Sequence, residues 1–314
     1  MTERLRVGVI GVGHLGRLHA EKYHAHGGVE LVGVYDSDRQ RAAEVAAAQE
    51  CRAPETLDSL LAGVDAVSIA VPTAAHLETG LRVAAAGVDM LMEKPMAAGS
   101  IEAKRLADAA AGKGALVQVG HLERFNPVFD EMRALVSEPK FIECHRLSPF
   151  AGRGDDTNVV YDVMIHDLDI ISLLAGAAVE SVDAIGVPVL SEHADIANAR
   201  LRMQGGCTAN VTASRVSLKR ERKMRIFQED AYVSLDFDLR NMVMARRGPG
   251  AAGPDPMSAI SIEERDLEDG DPLARQIAAF IECVVTRRPP AVGPAEGIAA
   301  LELADRVLAA MGAP

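Results

Sequence analysis

The first 120 residues alternate short apolar runs with longer stretches of helical periodicity. Residues 5–10, 31–35, 66–70, 90–92 and 116–119 are mostly apolar runs of strand length. Between them, helical patterns run from residue 15 to the Gly27-Gly28 pair, then over 39–49, 74–86 and 100–111. Thr73 stands where an N-cap belongs, and Gly87 where a C′ glycine ends a helix. Strand, helix and strand repeated in this way predict a parallel sheet wound on both faces. Parallel neighbours need long crossovers, and the crossover helices cover the sheet.

After about Gly120 the pattern changes. Residues 127–136 read as a helix with Val128, Phe129, Met132, Leu135 and Val136 on one side, and 162–174 as a second helix. From residue 179 to about 246 the chain reads as strands, including 195–203, 207–214, 224–228 and 231–237. Gly205-Gly206 supplies a hairpin turn, and strands joined so closely predict an antiparallel sheet. Residues 247–259 hold three glycines and three prolines and read as an exposed, mobile loop. Two helices close the chain. The first opens on Asp271 as N-cap and Pro272 at N1, aligning Leu273, Ile277, Phe280, Ile281 and Val284; the second aligns Ile298, Leu301, Leu308 and Met311. The expected division is an α/β domain over 1–121 and an α+β domain with a large, mostly antiparallel, open-faced sheet over 122–314.

Composition narrows the function. A chain of 314 residues, 48% hydrophobic and 25% charged, can build two domain cores. Its net charge of −12 excludes a general nucleic-acid or anionic-membrane binder, which needs a basic surface, but leaves room for an anionic substrate. Cys51, Cys144, Cys207 and Cys283 are scattered without metal or redox spacing and read as reduced thiols. Arg4 and Arg6 precede an apolar run that passes within four residues into Gly11, too short for a signal-peptide core, and no stretch has the length of a membrane span. The expected compartment is the cytoplasm.

The sharpest motif is Gly11-Val12-Gly13-His14-Leu15-Gly16, a G-x-G-x-x-G that follows a strand and opens a helix. Asp36 comes 20 residues after Gly16, at the end of the next strand. That is the dinucleotide fingerprint of a Rossmann domain: Gly11 for the tight turn, Gly13 for approach of the pyrophosphate, Gly16 for packing of helix on strand. The pyrophosphate sits at the positive end of the helix dipole. Asp36 suits ribose hydroxyls and repels a 2′-phosphate, favouring NAD, although Arg39 and Arg41 lie close by in sequence.

Hydride transfer from an alcohol needs a group to take the hydroxyl proton. Lys94, in Glu93-Lys94-Pro95, follows a strand whose carboxyl end faces the ligand crevice; its other reading is a surface lysine in a loop. Asp162 and His166, four residues apart, share a helix face, where aspartate tunes imidazole as an acid/base; their other reading is a surface i,i+4 pair. Asp167 and Asp169 add oxygens but no recognised metal-ligand spacing, so no metal is expected.

Together these segments resemble the Gfo/Idh/MocA oxidoreductases over nearly the whole chain. The resemblance is carried by the fingerprint, by residues 66–73 with His76, by Glu93-Lys94-Pro95 and by Asp162-x-x-x-His166. It implies Lys94 and His166 as the groups handling the hydroxyl proton and Asp162 as orienting or contacting substrate. It places Pro72, Thr73, His76 and Glu93 beside the cofactor with Gly11, Gly13, His14, Leu15, Gly16 and Asp36. Gly120-His121-Leu122-Glu123-Arg124-Phe125-Asn126-Pro127 and Ala213-Ser214-Arg215-Val216-Ser217 resemble the branch acting on the 3-hydroxyl of UDP-N-acetylglucosamine, with Arg124 and Asn126 near substrate. In the basic run Arg215, Lys219, Arg220, Arg222, Lys223 and Arg225, some residues could meet a diphosphate, while most read as a solvated hairpin. The resemblance also implies a homodimer or homotetramer formed through the C-terminal sheet. Two alternatives stay open: a dehydrogenase for another sugar or a polyol such as inositol, with NAD or NADP, and a non-catalytic NAD-binding sensor.

Overall fold

The computed structural model describes residues 4–150, 157–248, 260–267 and 270–312, so most of the expected loop at 247–259 lies outside the described residues. The chain forms two compact units, Met1–Leu122 with Asp271–Ile298, and Glu123–Gly270 with Ala299–Pro314.

The first unit runs β1 (Leu5–Ile10), α1 (His14–Ala25), β2 (Val29–Tyr35), α2 (Arg39–Ala48), α3 (Leu57–Leu61), β3 (Ala66–Ile69), α4 (His76–Ala85), β4 (Asp89–Glu93), α5 (Ser100–Ala111) and β5 (Val117–Gly120). Its sheet is wholly parallel, in the order β2-β1-β3-β4-β5. Beyond β2, a single parallel bridge from Gly33 to Arg52 stands where a further strand would be. Every residue of β3 and β4 is buried, as expected of parallel strands covered on both faces. The strand order reverses between β1 and β3, so the loops after those strands flank the crevice at the carboxyl edge. Gly87, at φ 71°, ends α4 as the sequence suggests. Thr73 differs from expectation. The chain enters α4 through a 3₁₀ turn over Thr73–Ala75, so Thr73 lies inside that turn and its side chain caps nothing.

The second unit holds α6 (Pro127–Leu135), β6 (Phe141–Leu147), a π-helical turn (Val160–Met164), α7 (Ile165–Ala175), β7 (Val179–Val187), β8 (Ile196–Met203), β9 (Thr208–Ser214), β10 (Glu221–Phe227), β11 (Ala231–Asp236), β12 (Asn241–Arg247) and β13 (Ile260–Asp266). Its eight strands are ordered β13-β12-β11-β10-β6-β9-β8-β7, antiparallel except where β6 meets β9. Alternate residues of the strands, such as Ile142, Leu201, Val211, Met224 and Val233, pack against Phe129 and Met132 of α6 and Leu168 and Ile171 of α7. The other face stays open.

α8 (Pro272–Thr286) and α9 (Pro294–Ala310) complete the chain. Asp271 caps α8, accepting the Leu273 and Ala274 N–H groups at 3.0 and 3.1 Å. The apolar stripe of α8 packs with Val7, Ala20 and Tyr23, and Lys22 pairs with Asp271 at 2.6 Å. Full burial of Phe280 alone is worth about 2–3 kcal/mol. Val119 N–H donates to the Val292 carbonyl at 2.9 Å, extending the bonding along β5. Residues 271–298 therefore group with the first unit, where the sequence reading gave everything after 121 to the second. An amphipathic pattern shows that α8 has a core-facing side but not which core it covers.

Candidate active site

The loop after β1 fits a dinucleotide. Gly11 has φ 81°, and a Cβ there would come within 2.8 Å of the Ala70 carbonyl. A Cβ on Gly16 would fall on the Gly11 carbonyl oxygen, so α1 can rest against β1 only with glycine at that position. At Gly13 the situation reverses: no atom lies within 4 Å of an added Cβ, so the space beside the backbone is open. Gly13 is the N-cap of α1, its cap makes no side-chain hydrogen bond, and the first turn holds no acidic residue. Exposed His14 and half-exposed Leu15 begin that turn. An uncapped, acid-free helix N-terminus beside open space suits a pyrophosphate.

Asp36 is buried just past β2. One carboxylate oxygen accepts the Val12 N–H at 2.8 Å and the other the Asp38 N–H at 2.9 Å, while Arg41 lies 3.5 Å away. A carboxylate has about four lone-pair sites, so capacity for a ribose hydroxyl remains. These groups fit NAD.

At the same edge of the sheet, Lys94 is half-buried immediately after β4, and the Lys94–Pro95 peptide is cis. Buried His76 sits between two loops, Nδ1 at 2.7 Å from the Pro95 carbonyl and Nε2 at 2.9 Å from the Val71 carbonyl. Burial holds its pKa below the ordinary histidine value even with a carbonyl at each ring nitrogen. Expected from sequence as a cofactor neighbour, His76 has both ring nitrogens on protein carbonyls and braces the loop carrying Pro72 and Thr73.

Beneath Lys94 lies a polar group that the sequence reading missed. Glu93 accepts from His19 at 3.1 Å, His19 meets Ser68 at 2.9 Å, and Ser68 meets Tyr23 at 2.8 Å. Burial alone would raise the Glu93 carboxyl, but His19 and the Lys94 charge hold it below the usual carboxylate range. The available signal was spacing. Gly16, His19, Ala20 and Tyr23 form the buried stripe of α1, so two polar side chains point inward.

In the second unit, Asp162 lies in the π-helical turn and His166 in the first turn of α7, both half-buried. The expected single α-helix is thus a π turn running into an α-helix, a local irregularity frequent at functional sites. Tyr161 Oη donates to Asp305 at 2.5 Å beside that turn. Asp167 and Asp169 are buried and bound by arginines. Arg146 reaches Asp167 at 3.0 and 2.8 Å and Glu123 at 2.7 Å, while Arg124 holds Asp169 at 2.6 and 2.8 Å. Burial keeps the Asp167 carboxyl above its ordinary value even with Arg146 beside it.

Two residues expected near substrate are held by bonds within this unit. Arg124 is engaged by Asp169. Asn126 is buried; its amide donates to Glu123 and to the Phe237 carbonyl, both at 3.1 Å, and its oxygen caps α6 through the Val128 N–H. The basic run is likewise matched by acids: Arg215 with Asp195, Lys219 with Glu221, Arg220 with Asp238, Lys223 with Asp236 and Arg225 with Glu143. All four cysteines are free thiols; burial pushes Cys51 up to about 11.

A parallel sheet whose first helix opens on an uncapped, acid-free N-terminus and whose second strand is followed by a buried carboxylate has the form of a dinucleotide-binding Rossmann domain. The NAD-binding Rossmann-fold model of the Gfo/Idh/MocA oxidoreductases matches residues 5–121, and their C-terminal domain model matches residues 132–234. The chain belongs to the Gfo/Idh/MocA family, and its cofactor is NAD.

Among its relatives, a UDP-N-acetylglucosamine 3-dehydrogenase from Acidithiobacillus ferrooxidans is 42% identical over 91% of this chain and 90% of its own. A solved structure of that enzyme has a TM-score of 0.92 at 40% identity, covering 98% of both chains. Inositol 2-dehydrogenase 4 from Saccharopolyspora erythraea is 32% identical over 58% of this chain and 57% of its own. A crystal structure of GenD2 from gentamicin A biosynthesis, at 20% identity, shares the fold with a TM-score of 0.84.

Proposed function

We propose that this enzyme oxidises the 3-hydroxyl of UDP-N-acetylglucosamine to a ketone, with NAD as oxidant. The observation that carries this reading is the 42% identity to a UDP-N-acetylglucosamine 3-dehydrogenase along 91% of the chain. The inositol dehydrogenases are more distant, at 32% identity or less, although one of them, 25% identical, spans 96% of the chain. NAD, when bound, accepts the hydride at C4 of its nicotinamide. The chain's own residues handle the proton. Lys94 and His166 are the groups that receive it from the hydroxyl oxygen, and Asp162 orients imidazole or substrate. Arg124 and Asn126 contribute from behind, holding Asp169 and the start of α6 in place.

The enzyme works as a homo-oligomer in the cytoplasm. The open face of the second unit's sheet supports the first point. It carries the tilted stack of Phe141, Phe227 and Tyr232, with centroids 5.7 and 5.1 Å apart, which suits burial against a second copy. Among the described residues no helix is long and apolar enough to cross a membrane.

Lys94→Ala and His166→Ala test the assignment of roles. Each is expected to bind NAD as the parent does and to lose at least about a hundredfold in kcat. Unchanged turnover in both variants contradicts it.

A further inference from the structure

The hydrogen-bonded chain under Lys94 lies almost wholly out of solvent. Tyr23, Ser68 and His19 are fully buried and Glu93 is 7% exposed. Four polar side chains at such depth are costly unless each is bonded. The chain ends on backbone, because the second Glu93 oxygen accepts the Lys94 N–H at 3.3 Å.

Counting donors fixes its direction. The Glu93 carboxylate only accepts, so His19 Nε2 carries the proton toward it and Nδ1 accepts from Ser68, whose oxygen accepts from Tyr23. Each hydroxyl then donates once, and no donor is left over. Tyr23 at the far end sits in the apolar cluster with Ile277 and Phe280, and burial raises its phenol well above the ordinary value. The far end of the chain is thus closed off by apolar side chains. A second observation agrees. Gly120 pairs with Glu93 across β4 and β5, and a Cβ on Gly120 would lie 2.8 Å from the Glu93 carboxylate. The carboxylate is seated between a histidine that grips it and a glycine that makes room for it.

We infer that His19 is a positioning residue for the dehydrogenase reaction, acting through Glu93 to fix the backbone of Lys94; this rests on the reading of Lys94 as a catalytic residue. His19 lies on α1, the helix whose N-terminus suits the pyrophosphate. One rigid element thus sets both the cofactor's phosphates and the lysine that must work beside its nicotinamide. Misplacing a reacting group by about 1 Å costs about a hundredfold in rate, which gives the scale of the effect.

The test uses the full-length enzyme with NAD and UDP-N-acetylglucosamine. His19→Ala, His19→Gln and Gly120→Ala are made in the parent and in Lys94→Ala. Amide exchange at Lys94 is followed by NMR as a readout that needs no turnover. His19→Ala and Gly120→Ala are expected to speed exchange of the Lys94 N–H while leaving that of Val7 unchanged. Both are expected to lower kcat about ten- to hundredfold with little change in KM or NAD affinity. Neither should lower the residual rate of Lys94→Ala further, since a group acting through Lys94 has nothing left to position. His19→Gln, which keeps an N–H for Glu93, should recover most of the loss.

Equal losses in both backgrounds, or unchanged Lys94 exchange in Gly120→Ala, overturn the inference while leaving Lys94 as catalytic. Full turnover by Lys94→Ala overturns both. Gly120→Ala removes no hydrogen-bonding group, so it decides the matter if His19→Ala fails to fold.

Discussion

Substituting Gly13 by alanine separates cofactor binding from folding at a single methyl group. Gly13 has φ −62° and ψ −157°, extended backbone that alanine can adopt, and the added Cβ meets no protein atom within 4 Å. The free protein should therefore keep its stability or gain up to about 1 kcal/mol, as the unfolded chain loses glycine freedom. The same methyl stands where the pyrophosphate must approach the first turn of α1. Losing one charge-assisted hydrogen bond costs about 1.5–3 kcal/mol, which weakens NAD binding roughly ten- to hundredfold. Gly16→Ala is the control of opposite character. Its Cβ falls on the Gly11 carbonyl oxygen, so α1 must lift from β1 at a cost of about 1–3 kcal/mol in stability. Calorimetric titration with NAD and thermal unfolding of the same samples read both effects. Parental NAD affinity in Gly13→Ala refutes the assignment of the phosphate site. A large fall in its unfolding temperature refutes the claim that the space beside Gly13 is kept open for a ligand.

Three further outcomes follow from the same geometry. Asp36→Ser removes the ribose acceptor and leaves Arg41 with one fewer carboxylate, so the ratio of kcat/KM for NADP over NAD should rise at least about tenfold; an unchanged ratio counts against Asp36 as the discriminator. Arg146→Met strands the buried Glu123 and Asp167 carboxylates together and should cost about 3–5 kcal/mol in urea unfolding, with less than about 1 kcal/mol contradicting the buried network. For pH, the Asp65, Glu93, Asp195 and Asp271 carboxyls lie below their ordinary values in the folded state. Groups depressed in this way stabilise above the unfolded value, and that contribution is lost as pH falls through the folded one, whereas the raised Asp167 carboxyl acts oppositely. The unfolding temperature should thus drop between about pH 5 and about pH 3, and Asp195→Asn should drop less. A temperature constant over that range would be inconsistent with the four clamped carboxyls.

Most of the first unit was legible because parallel strands buried on both faces are uninterrupted apolar runs, and the fingerprint states its own geometry. β6 escaped notice for a physical reason. Its inward positions are Ile142, Cys144 and Arg146, and an arginine on the core face breaks the alternation that marks a strand. β13 is exposed on both faces apart from Glu263, so it has no apolar period to read. The placement of residues 271–298 with the first unit is long-range information that no local pattern holds. Around the candidate site, the turn after β1 and the ends of β2 and β4, where Gly11, Asp36 and Lys94 lie, were readable because motif and element boundaries coincide. What holds Arg124 and Asn126 was not readable, since their partners Asp169, Glu123 and the Phe237 carbonyl come together only in the folded unit. His19 was readable only as a polar residue on a buried helical stripe.

The central claim is NAD-dependent oxidation of UDP-N-acetylglucosamine, and the most direct test is absorbance in the NADH band after mixing enzyme, NAD and UDP-N-acetylglucosamine. Enzyme should be present at a concentration comparable with the substrate, so that a single turnover registers even if NADH stays bound. The account predicts NADH formation with UDP-N-acetylglucosamine, matched by a keto sugar in the product and absent with myo-inositol. No NADH with the nucleotide sugar, while NAD binding is intact or inositol is oxidised, would contradict it.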